Sequence, residues 1–198
     1  KITGRFDRFF DEEHERYEKN EQYKDVLKKY YLFVDQKIGE LRGLIDDNTV
    51  LFVLSAYGAQ RFDGRFNLNE WLIQEGYLVL EEYPPAFTPF KELKIDWEKT
   101  KAWATGYNGQ IYFNLIEREN QGIVELSDYK TLQEELAKKI EQLQDHNGNA
   151  LKTQVFKRDE LHFKGKSAYG PDLIAFLGEG RWNTSEIVGG RDIYSFNA

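Results

Sequence analysis

Cysteine and methionine are both missing from this chain, and its 198 residues include only four prolines and three histidines. Without cysteine there is no disulfide, no thiolate nucleophile and no sulfur-ligated metal site. The lack of methionine, even at position 1, suggests either an internal stretch of a longer protein or an engineered sequence. No apolar run approaches the ~18 residues that suggest a membrane span. The opening KITGRFDRFF carries neither the apolar core nor the cleavage site of a signal peptide. These absences predict a chain with no membrane partner, soluble and cytoplasmic by default. Positive charge is also scarce, with 27 Lys and Arg against 34 Asp and Glu, a net charge of -7. That balance argues against a general nucleic-acid partner, because phosphate contacts need clustered cations.

What is present fits a globular protein: 40% hydrophobic residues and 15% aromatic residues can build a sizeable core. After the polar entry DEEHERYEKNEQY, residues 23–46 place Val26, Leu27, Tyr30, Tyr31, Val34, Ile38 and Leu41 mainly at intervals of three and four. That spacing predicts an amphipathic helix. TVLFVLS, residues 49–55, is β-branched and apolar on both faces, which predicts a buried strand of a mostly parallel sheet. FNLNEWLIQEGYLVL reads as a short helix with Asn67 as N-cap and Gly76 at its end, then a short strand. Three of the prolines fall in residues 81–97, a surface excursion. Asn108 and Gly109 suit a tight turn between two strands. SDYKTLQEELAKKIEQLQD predicts a helix opened by Ser127, and the pieces TQVFKRDEL, PDLIAFLGEG and DIYSFNA read as strands. The expected fold is a single α/β domain over residues 1–198, a sandwich with a mixed, largely parallel sheet flanked by helices.

In such sheets ligands gather beyond the carboxyl ends of the strands, which places Ser55, Ala56, Tyr57 and Gly58 at the expected rim of a pocket. Asn67, Asn69 and Glu70 lie near the same mouth and are rim candidates for holding a phosphate ester or sugar. Helix capping and local packing account for them more simply. The histidines His14, His146 and His162 share no local ligand spacing, so surface or hydrogen-bonding roles are expected for them rather than a zinc site.

RFNLNEWLIQEGYLVL, DWEKTKAWATGYNGQIYFNLIERENQGIV and PDLIAF resemble the type I phosphodiesterase and nucleotide pyrophosphatase family of the alkaline phosphatase superfamily. Matched segments run from FFDEEHERY to GGRDIYSF, nearly the whole chain. The resemblance implies an alkaline-phosphatase-like fragment, zinc or another divalent metal as the family's cofactor, and a nucleotide or small phosphate ester as ligand. In the family the strand matching TVLFVLS ends in Ser-Asp-His-Gly, whose aspartate and histidine bind the catalytic metals. This sequence has Ala56 and Tyr57 at those two positions. Aligning the family's aromatic segment on FDRFFD puts a further family histidine at about Gly4. The remaining ligands and the nucleophile would then lie before residue 1 or after Ala198.

Gly4, Ala56 and Tyr57 are therefore read as former metal-ligand positions, with no catalytic residue and no metal or other cofactor in the chain. Tyr57 as a catalytic group would need a lowered pKa or a partner base, whereas a ring filling a vacated ligand site needs neither. The expected function is a non-catalytic, metal-free domain derived from or imitating this fold, engineered or naturally diverged. The alternatives are a metal-dependent phosphodiesterase or pyrophosphatase completed by another segment, or a nucleotide-binding module without cleavage. The oligomeric state is not legible in these residues.

Overall fold

The computed structural model describes residues 7–10, 12, 17–54, 62–160 and 169–196. The chain divides into two compact units, Lys1–Arg61 and Phe62–Ala198.

In the first unit a 3-10 turn at Asp7–Phe9 precedes helix α1, Val26–Arg42. The three-and-four spacing of apolar residues does give a helix, and Lys37 pairs with Glu40 at 2.8 Å on its surface. None of the helix residues is buried. The segment 50–54, expected as a buried strand, carries no strand hydrogen bonding and leaves Phe52 76% and Leu54 87% exposed. An apolar run becomes a central strand only when strands pair with its edges. Among the described residues of this unit no strand does so.

In the second unit, a four-stranded sheet has the order β2-β3-β5-β4, with β2 at Ala102–Thr105, β3 at Gln110–Phe113, β4 at Gln154–Lys157 and β5 at Leu173–Phe176. All three of its pairings are antiparallel. Ala102, Ala104, Ile111, Phe113, Leu173 and Ala175 alternate inward and are buried, while Trp103, Tyr112 and Ile174 point to the opposite face. Helix α3, Tyr129–Glu141, packs against β4 and β5 and buries Leu132, Leu136 and Ile140. Burying each such side chain contributes about 1.5–3 kcal/mol. Asp128 rather than Ser127 occupies its N-cap position, and its side chain makes no capping bond.

A second sheet has the order β6-β1-β7, from β1 at Gly64–Asn67, β6 at Trp182–Ser185 and β7 at Tyr194–Ser195. β1 pairs parallel to β6 and antiparallel to β7. The expectation of a largely parallel sheet is thereby corrected, since β1/β6 is the one parallel ladder among the described strands. The physical reason lies in the side chains. AWAT and QIYF alternate buried with half-exposed residues, as in a sheet covered by helix on one face. Parallel sheets need cover on both. Short α2, Leu68–Gln74, follows β1 directly and packs against β2 and β6. The strand expected after Gly76 reduces to a single bridge between Leu80 and Ile95.

Candidate functional site

Ser55, Ala56, Tyr57 and Gly58 lie outside the described residues, as do Gly4, His14 and His162. The rim candidates Asn67, Asn69 and Glu70 are described, and they fall together at the β1–α2 junction. Their burial is nearly complete, at 6%, 0% and 2% exposure.

Asn67 stands at the N-cap position of α2 without capping it. Its amide instead donates to the Asp192 carbonyl at 2.7 Å, and its Oδ1 accepts from the Ser195 hydroxyl at 3.2 Å, tying β1 to β7. Asn69 behaves like a short extra strand. Its Oδ1 accepts from the Ala104 N–H at 2.8 Å while its Nδ2 donates to the Ala104 carbonyl at 2.9 Å and to the Glu186 carbonyl at 3.2 Å. Asn69 thereby satisfies Ala104 on the outer edge of β2, where the Ala102 N–H donates to the Tyr77 carbonyl at 3.1 Å. Glu70 Oε1 accepts from the Tyr83 hydroxyl at 2.6 Å and the Gly189 N–H at 2.5 Å. Burial, and then the bond to Glu70, push the Tyr83 phenol above its ordinary pKa. Asn69 is thus committed to backbone groups, and Asn67 to one backbone carbonyl and the Ser195 hydroxyl.

A second polar cluster, absent from the sequence-based candidates, centres on Asp172 and Arg118. Asp172 is fully buried and accepts from the Phe113 N–H at 2.7 Å, from Arg118 Nη1 at 2.8 Å and Nη2 at 2.7 Å, and from the Tyr129 hydroxyl at 3.1 Å. Arg118 also donates through Nη2 to the Phe113 carbonyl and through Nε to Glu119 Oε1 at 2.9 Å. Burial works against the Arg118 charge, but the bonds and charge of Asp172 outweigh it and hold the guanidinium above its ordinary pKa. Burial and then Asp172 also raise the Tyr129 phenol. The arginine is delivered by a loop that Asn114 organises, its amide donating to the carbonyls of Trp97, Thr100 and Gln121, each at 2.9 Å. Arg118 and Asp172 are 54 residues apart, so no local spacing signals the pair. The only sequence hint is an aspartate placed immediately before the apolar run LIAF.

His146 sits exposed in the turn after α3, its ring 4.7 Å from that of Phe196 and 6.3 Å from those of Trp182 and Tyr194. Asp145 is the neighbouring carboxylate, and its charge acts on both His146 and Tyr194. Among the described residues no three His, Asp or Glu side chains gather in a way that would hold a metal ion, and no helix is long and apolar enough to cross a membrane.

The family model for type I phosphodiesterase / nucleotide pyrophosphatase matches residues 8–191. No curated protein and no solved structure matches the chain. The matched stretch takes in α1, both sheets but for the last strand, and the buried Asn69, Arg118 and Asp172, so the chain belongs to the type I phosphodiesterase / nucleotide pyrophosphatase family.

Proposed function

We propose that this chain is a non-catalytic member of the family, one that keeps its fold and has given up its divalent-metal centre. What supports the reading is the pair Ala56 and Tyr57, which the resemblance sets against an aspartate and a histidine that bind the family's metals. A catalytic zinc site takes about three protein ligands, histidines and carboxylates above all. Ala56 has no donor atom, Tyr57 offers a phenol with an ordinary pKa near 10, and Gly4 has no side chain at all. This donor set does not fit the metal. Hydrolysis of a phosphodiester in the family's manner needs a nucleophile and a cation that stabilises the charge developing on the phosphoryl oxygens. Ala56 supplies neither, and the Tyr57 phenol brings no cation and would need a lowered pKa or a partner base to attack.

Replacing two polar ligands by a methyl group and a ring also removes groups that would be costly to bury without their cation. The change is therefore coherent with a domain that folds and persists without metal. Its direct test is turnover of bis(p-nitrophenyl) phosphate and of a nucleotide sugar with zinc, manganese or magnesium added. No protein-dependent release of product is expected. Metal-dependent release proportional to protein would refute the proposal.

A further inference from the structure

On the outer face of the four-stranded sheet, Trp103 and Tyr112 are cross-strand partners whose rings lie nearly parallel, 16° apart with centroids at 5.8 Å. Trp97 braces Trp103 edge-on at 5.1 Å. Beside this pair opens a cavity of about 240 Å³, lined by Trp103, Thr105, Tyr112, Arg118, Glu119 and Tyr169. We propose that this cavity is a binding site for a neutral saccharide ring, with Trp103 and Tyr112 as its apolar wall and Glu119 and Thr105 as acceptors for ring hydroxyls.

Size sets the first limit. Pockets for drug-sized ligands occupy about 300–1,000 Å³, so this one suits a single ring better than a whole nucleotide. Charge sets the second. Arg118 is the cation in the lining, and its guanidinium is already forked onto Asp172 and bonded to Glu119 and to the Phe113 carbonyl. Its charge is balanced within the protein, which leaves little to recommend a phosphate. The third limit is the type of polar atom on offer. Arg118 fixes Glu119 through Oε1, while Oε2 and the Thr105 hydroxyl make no hydrogen bond among the described residues. A carboxylate oxygen accepts and cannot donate, so it selects a ligand rich in hydroxyl donors. A sugar combines such hydroxyls with apolar C–H faces that can lie against indole and phenol rings, the pairing of aromatic wall and few placed polar groups seen in small-molecule sites. Tyr169, 82% exposed at the rim, can cover the open side of the ring.

The test is ligand-observed NMR on the full chain with glucose, galactose and N-acetylglucosamine, together with their methyl glycosides, and with adenosine and inorganic phosphate as comparators. At least one sugar is expected to bind with a Kd in the range of ~1–10 mM. Binding of a methyl glycoside would identify the end of a glycan, and binding of the free sugar alone a monosaccharide; both uphold the site. Glu119→Gln keeps an oxygen for Arg118 but turns the free acceptor into a donor, and should weaken binding by about fivefold or more. Tyr169→Ala, at an exposed position that folding does not need, should weaken it as well, and it decides the matter if Glu119→Gln does not fold. The proposal is overturned by no sugar binding, by binding that neither variant changes, or by adenosine or phosphate binding in place of the sugars.

Discussion

Truncating Asp172 to alanine would leave the Arg118 guanidinium, only 12% exposed, facing an apolar sheet with its principal counter-charge gone. Breaking a buried pair from one side costs about 3–5 kcal/mol, and urea denaturation of Asp172→Ala should show a loss of that size. Asn69→Ala removes three hydrogen bonds and strands the buried Ala104 N–H, which predicts a loss of about 2–4 kcal/mol in the same experiment. These residues also mark the limit of reading chemistry from a sequence. Asn69 and Glu70 lie near the expected mouth of a pocket, which makes them rim candidates in the sequence. Whether such a residue faces ligand or backbone depends on partners that lie 35 residues away for Asn69 and 119 for Glu70. The reading of Ala56 and Tyr57 as former ligand positions rests instead on residue type against the family pattern, and both lie outside the described residues.

Elements follow the same division between local and distant causes. The β2–β3 hairpin was evident from Asn108 and Gly109, since a turn is a local choice of dihedral angles. Gly109 takes φ +60°, and a Cβ there would run into the Ala175 backbone of β5. Gly109→Ala should therefore destabilise the second unit by more than the ~1 kcal/mol of a simple glycine replacement, as a shift in its melting midpoint. The turn after α3 was likewise local, with Asp145 accepting from the Asn147 and Asn149 N–H groups at 2.8 Å each. Burial opposes ionisation of Asp145, but those amides hold its pKa below the ordinary value. A carboxylate depressed in this way contributes stability above its unfolded pKa of about 3.9 and loses it as the pH falls through the lower native value. The protection of amides 145–149 against exchange, taken relative to the intrinsic rate at each pH, should fall in that acid window and stay constant above pH 5. Strand pairing was the part the sequence did not carry. β6 is built from WNTS, mostly polar, and pairs in parallel with a strand more than a hundred residues earlier. TVLFVLS has the composition of a central strand, but composition cannot supply the neighbours that would make it one.

At the scale of the whole molecule, four phenols, those of Tyr77, Tyr83, Tyr129 and Tyr194, are pushed up chiefly by burial. A raised phenol pKa means the folded state prefers the neutral ring. Its contribution is complete below the unfolded value of about 10 and is lost as the pH rises through the native value. The melting temperature should therefore be flat from pH 7 to 9 and fall above pH 10, with phenolate absorbance rising as the chain unfolds. On the proposed reading, with Ala56 and Tyr57 at former ligand positions, the chain should have no strong zinc site and gain no stability from the ion, whereas a site far above saturation would add several kcal/mol through RT ln(1 + [L]/Kd). The most direct measurement is titration calorimetry of zinc into the chelator-treated chain. A lost metal centre predicts no saturable binding tighter than ~10 µM. One or two ions bound stoichiometrically at nanomolar affinity would contradict it.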